Sequence, residues 1–154
     1  MKVIKADKIE AAMALKEGQS IMELEHPNVV AHYEQYMSEN LELCSVIEYA
    51  SSKLYSGLKF AIGGDLAQEI ERYRTQGMTE DHAMHNFTQI CLGLVAVHTR
   101  GITHKDLKPE NIYFDCFGRL KIGGLVRVTT KKTKVPAPLL NYLAPEVHQG
   151  LAVS

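Results

Sequence analysis

Between His104 and Ile122 the chain sets an octet, His-Lys-Asp-Leu-Lys-Pro-Glu-Asn, directly before a hairpin signal. Asn111–Phe114 and Arg119–Ile122 read as two short strands, and Asp115-Cys116-Phe117-Gly118 supplies the turn residues between them. No other stretch constrains the fold as tightly, because a turn-bounded strand pair fixes the chain direction on both sides of it. The second strand runs on as Leu-Lys-Ile-Gly-Gly-Leu-Val, so two glycines follow it immediately.

The rest of the chain divides into periodic segments. Val3-Ile4-Lys5 reads as the end of a strand. Residues 7–24 have helical periodicity, with Met13, Ile21 and Leu24 on one face and Glu17 in its middle. A carboxylate there needs a partner, because burying it unpaired is costly. Strand-like runs follow near 29–36 and 41–49, joined by Ser38-Glu39-Asn40. Residues 50–62 read as a loop leading to Gly63-Gly64-Asp65-Leu66 and a polar helix to about Arg74. Thr79 is the expected N-cap of a long helix, with Glu80 and Asp81 in its first turn. Met84, Phe87, Ile90, Cys91, Leu94 and Val95 form a broad apolar stripe on it, so it is expected to be the central buried helix. His98 at the stripe's edge is expected to be a satisfied core histidine, and Arg100-Gly101 stops the helix. There is no internal repeat.

Composition sets the outer limits. A chain of 154 residues, 45% apolar and 23% charged, suits one ordinary globular domain. Its net charge of −1 gives no basic field for nucleic acid or an anionic membrane. No apolar run approaches the ~20 residues needed to span a bilayer, and the start does not read as a signal peptide. Cys44, Cys91 and Cys116 are too few and too widely spaced for a disulfide framework or a zinc site, which points to a reducing cytoplasmic setting.

The octet resembles the catalytic loop of a protein kinase, whose pattern is His-Arg-Asp-Leu with an Asn five residues after the Asp. Ala144-Pro145-Glu146 resembles the motif that closes the activation segment. Gly63-Gly64-Asp65-Leu66, Thr79-Glu80-Asp81 and the run from Phe87 to Leu94 are similar to NIMA-related serine/threonine kinases. The resemblance implies an α+β, two-lobed protein-kinase-like fold, with a partial N-lobe over 1–50 and a partial C-lobe over 51–154. It also implies truncation at both ends: the chain begins at the family's third strand, without a glycine-rich loop, and stops eight residues after Glu146, before the late C-lobe helices.

The resemblance carries roles onto particular residues. Asp106 is the expected acceptor of the substrate hydroxyl proton, and Lys108 the expected cation beside the transferring phosphoryl. Asn111 is the expected magnesium ligand. Lys5 is expected to pair with the ATP phosphates and with Glu17, with Lys8 a competitor because only twelve positions separate Lys5 from Glu17. Glu48 and Ala50 are expected along the adenine edge, and His104 is expected to pack. The departures are equally specific. Gly124 stands where the family carries the metal-binding Asp of Asp-Phe-Gly, and it brings no side-chain oxygen. Leu125 keeps an apolar side chain in the Phe place. Lys105 replaces an arginine and lacks its bidentate fork. Leu139 falls near a position where the family has a threonine.

These residues imply ATP and Mg2+ by family and impaired catalysis by content. The expected partners are ATP and a protein substrate or protein partner, with no nucleic acid and no membrane. The alternatives are an unusual active enzyme, a non-catalytic pseudokinase binding module, and a gene fragment without function of its own. On the sequence alone, Gly124→Asp in a chain extended to include a glycine-rich loop is expected to make nucleotide binding magnesium-dependent, without needing to restore turnover.

Overall fold

A computed structural model describes residues 2–5, 20–38, 42–48, 64–125, 142 and 145, with the backbone alone described at 2–5, 42 and 43. Among the described residues, two small antiparallel sheets, two complete helices and the helical residues 20–22 make an α+β arrangement. The first sheet joins β1 (Lys2–Lys5), β2 (His32–Met37) and β3 (Glu42–Ile47) in the order β1-β3-β2. Val3 faces Cys44 on one side and Tyr36 faces it on the other.

The strand expected over 29–36 begins later than its apolar residues suggest. Val29 and Val30 leave the first sheet and tie it to the second. Val29 forms a parallel bridge with Ile122, the Val30 N–H donates to the Ile122 carbonyl at 2.8 Å, and the Ile122 N–H donates to the Asn28 carbonyl at 2.9 Å. The buried backbone groups of this junction are thus paired between sheets.

The second sheet joins β4 (Gly64–Asp65), β5 (Ile112–Phe114) and β6 (Leu120–Ile122) in that order. Its hairpin turns at the expected place. Asp115 holds the turn, accepting from the Phe117 N–H at 2.8 Å, the Arg119 N–H at 2.9 Å and the Arg119 guanidinium at 2.8 Å. Burial works to raise the Asp115 pKa, but these donors outweigh it and hold the carboxyl below its usual value.

Helix α1 (Leu66–Arg72) starts at Asp65, whose Oδ1 accepts from the Gln68 N–H at 2.9 Å. Helix α2 (Glu80–Thr99) starts at Thr79 as expected, with Oγ1 accepting from the His82 N–H at 3.3 Å. Buried Glu69 fastens the two helices together, lying 2.9 Å from His82 Nε2 and 3.4 Å from Arg72.

The expected packing face of α2 needs correction. Met84, Phe87 and Val95 are 52%, 58% and 63% exposed, and His98 is exposed rather than a core histidine. The buried residues are Asn86, Gly93 and Val97. Gly93 decides this. A β carbon there would come within 2.6 Å of the Asn28 carbonyl oxygen and 2.8 Å of Ile122 Cδ1, so glycine lets α2 lie close on β6. The polar residues on this face serve the hairpin: Gln89 Oε1 accepts from the Leu120 N–H at 2.9 Å and from Asn28 Nδ2 at 3.2 Å.

Two apolar clusters complete the interior. Ile21 and Leu24, at and beyond the helical residues 20–22, pack with Val29, Val97 and Leu125. Ile112, Phe114 and Leu120 pack with Leu66, Ile90 and Leu107. Each buried aliphatic side chain stabilises the fold by roughly 1.5–3 kcal/mol. Met13, Glu17 and the loop expected over 50–62 lie outside the described residues.

Candidate active site

The octet folds into a tight loop between α2 and β5. Lys105 is the one non-glycine residue with positive φ among the described residues, at 62°. That left-handed step brings His104 inward while Lys105 stays exposed. His104 is 3% exposed, and both ring nitrogens are used. Nε2 donates to the Gly123 carbonyl at 2.9 Å, and Nδ1 accepts from the Asp106 N–H at 3.3 Å. One donor and one acceptor describe a neutral imidazole. Burial lowers the His104 pKa below its usual value, against the opposing pull of the Gly123 carbonyl and the Asp106 charge. The packing role expected for His104 is the role it has.

Asp106, Lys108 and Asn111 come together as the resemblance implies. A single turn of 3-10 helix, Pro109–Asn111, returns Asn111 toward Asp106. Asn111 Nδ2 donates to the Asp106 carbonyl at 2.7 Å and to Asp106 Oδ2 at 3.0 Å. Lys108 Nζ lies 3.3 Å from the same Oδ2. The carboxylate is thereby oriented by one amide and one ammonium, an arrangement suited to holding a hydroxyl for proton transfer.

The same geometry does not suit a magnesium ion. Magnesium needs several oxygens in a near-octahedral shell. Here Gly124 supplies no side-chain oxygen, Asn111 gives its nitrogen to Asp106 and so offers a metal only its neutral Oδ1, and Lys108 already balances the carboxylate. Among the described residues no three His, Cys, Asp or Glu side chains form a set able to hold a metal ion. The donor set does not fit the metal.

Apolar packing survives where the oxygen ligand does not. Leu125 is buried against Ile21, Leu24 and Val97. Gly123 is a close approach: a β carbon there would meet the Tyr113 ring at 2.7 Å. Burial, then the charges of Asp65 and Asp106, raise the Tyr113 pKa. Beside these glycines a cavity of about 30 Å³ is lined by Val30, Ser45, Ile47 and Tyr113 among others.

Glu48 has a second role. Its carboxylate Oε2 lies 2.9 Å from Lys121 Nζ and accepts from the Ala31 N–H at 3.2 Å, so the side chain faces the protein. Lys121 is 7% exposed and was not singled out by motif. Its signal was a lysine between Leu120 and Ile122 in a strand, which requires a buried partner. Of the remaining expected residues, Glu17, Ala50 and Leu139 lie outside the described residues, as does the Lys5 side chain. Pro145 is the described member of Ala144-Pro145-Glu146.

The protein kinase domain profile matches residues 1–153. The chain belongs to the protein kinase family. This kinase-family chain is 30% identical over 158 residues to serine/threonine-protein kinase Nek3 of Mus musculus, covering 98% of the chain and 28% of the relative. It is 34% identical over 148 residues to serine/threonine-protein kinase Nek8 of Danio rerio, covering 92% of the chain and 19% of the relative. It is also 34% identical over 156 residues to CBL-interacting protein kinase 32 of Oryza sativa, with 95% of the chain and 31% of the relative covered. The chain therefore spans less than a third of the length of each of these kinases.

Proposed function

We propose that this chain is a NIMA-related-like serine/threonine kinase module in which phosphoryl transfer is impaired. Its division is a partial N-lobe over 1–50 and a partial C-lobe over 51–154. The inherited activity is ATP-dependent phosphorylation of serine or threonine in proteins, with Asp106 as proton acceptor and Lys108 as phosphate cation. Lys5, Glu17, Glu48 and Ala50 are the proposed nucleotide contacts, with Glu48 acting through its backbone because its carboxylate is taken by Lys121.

One observation carries the reading. Asn111 and Lys108 converge on Asp106 while Gly124 brings no side-chain oxygen, which supports a site that keeps its proton-handling residues and lacks its main metal ligand. Stabilising the transferring phosphoryl without its metal removes a large electrostatic contribution to the transition state.

A second reading, a non-catalytic module that binds a protein partner, is favoured by the exposed apolar residues Met84, Phe87 and Val95 of α2. A reducing, cytoplasmic setting suits three cysteines that form no disulfide.

The test is a calorimetric titration of ATP into the chain with and without magnesium. Weak binding that is equal in both conditions supports the reading. Binding that magnesium tightens tenfold or more, about 1.4 kcal/mol, contradicts it.

A further inference from the structure

Helix α2 presents a second face besides the one on β6. Its buried residues are Asn86, Gly93 and Val97. At about 100° per residue, Glu80, Met84, Phe87, Cys91, Leu94 and His98 share a stripe roughly a third of a turn away from them. Met84 and Phe87 are 52% and 58% exposed, Glu80 and His98 are exposed, and Cys91 and Leu94 are partly buried. The intervals along this stripe alternate between four and three residues. That is the a/d repeat of one helix lying along another, narrower than the face a helix turns to a globular core.

The stripe is complementary to itself when reversed. An acid opens it, a base closes it, and four apolar side chains lie between. Laid antiparallel on a second copy, with a two-fold axis at the level of Gln89, Glu80 meets His98 of the second copy. Met84 meets Leu94 and Phe87 meets Cys91 in the same way, and each layer occurs twice. Carboxylate faces imidazole, which can share a hydrogen bond with it, and apolar faces apolar. Val95, 63% exposed, borders the Met84 and Leu94 layer. Parallel pairing would instead set Glu80 against Glu80 and align the two helix dipoles, and the antiparallel arrangement removes both penalties. Helix α2 contains no lysine or arginine, so no long cation has to be desolvated in the seam.

We propose that this face is an interface between two copies of the chain, a closed two-fold pair formed by antiparallel α2 helices. The exposed apolar residues thereby have a definite partner and a definite register. The pairing does not depend on whether the chain transfers phosphate.

Sedimentation equilibrium of the whole chain reads the pairing. One helix pair is a small interface, so the native chain shows a reversible monomer–dimer equilibrium with a Kd on the order of 10–100 µM, and no larger species. Glu80→Lys and His98→Glu each weaken that dimer roughly tenfold, because each spoils both end layers. Mixed in equal amounts, the two variants form a mixed dimer at least as tight as the native one. The introduced lysine and glutamate then face each other, and the opposite end keeps its native pair. Circular dichroism checks that each variant keeps its helix. Where one does not, Phe87→Glu and Cys91→Lys repeat the exchange in the central layers, with the same rescue expected on mixing. Rescue in the mixture supports the proposal. A native chain that stays monomeric, as it does if the face serves a different protein or another segment of a longer chain, overturns it. Association that runs on past dimers overturns it, and so does a mixture that pairs no more tightly than its components.

Discussion

Lys121 Nζ lies 2.9 Å from Glu48 Oε2, and this contact ties the hairpin of one sheet to the strand end of the other. The lysine sits on β6 and the glutamate just past β3, so the pair reinforces the backbone junction that Val29 and Val30 make with Ile122. Lys121→Met leaves Glu48 with a charge and no cation, and is expected to cost about 1–3 kcal/mol. Adding Glu48→Gln should recover part of that loss, because the amide oxygen still accepts from the Ala31 N–H. Urea unfolding of the single and double variants measures the coupling. Additive losses would show that the pair does not join the sheets.

Gly93 is the contact point of α2 with β6, and there the obstacle to a side chain is backbone as well as Ile122. Gly93→Ala is expected to destabilise by about 1–3 kcal/mol as overpacking, despite alanine's better helix propensity. A gain in stability on denaturant unfolding would mean that the helix stands further from the sheet.

His104 is neutral in the folded chain because burial lowers its pKa. The unfolded chain therefore takes up protons first as pH falls below the usual histidine value of about 6.5, and stability drops from there downward. At higher pH the contribution is fully present. Asp115 works in a separate window: its carboxyl is held below its usual value, so its contribution is lost only as pH falls through that lower range. Thermal midpoints between about pH 7.5 and 5.5 should fall for the native chain and fall less for His104→Gln. Parallel pH profiles would remove His104 as the source.

These features differ in how far the sequence discloses them. The Thr79 cap and the Asp115 turn depend on neighbours within a few positions, and the burial of Ile21 and Leu24 follows from helical periodicity although their partners Val97 and Leu125 are remote, so all were legible. The packed face of α2 was not. Its fully buried residues are Asn86, Gly93 and Val97, which form no apolar stripe, Ile90 of the expected stripe packs on the hairpin, and Gly93's partner Ile122 is remote in sequence. The joining of Asp106, Lys108 and Asn111 followed from the octet. The close approach of Asn111 to Gly124 did not, because it depends on a backbone angle and on where the Asn111 amide turns.

Met84, Phe87 and Val95 leave α2 with an exposed apolar face. Concentration-dependent association and binding of a hydrophobic dye are expected. Met84→Lys with Val95→Glu should reduce both without loss of helix by circular dichroism. A clean monomer with no dye binding in the native chain would contradict this.

The central claim is that the proton-handling residues persist without a working metal position. Its most direct measurement is transfer of labelled γ-phosphate from ATP to a generic protein substrate, with and without magnesium, by the native chain and by Asp106→Asn. The account predicts incorporation by the native chain no greater than by Asp106→Asn, and no response to magnesium. Magnesium-dependent incorporation by the native chain that Asp106→Asn abolishes would contradict it.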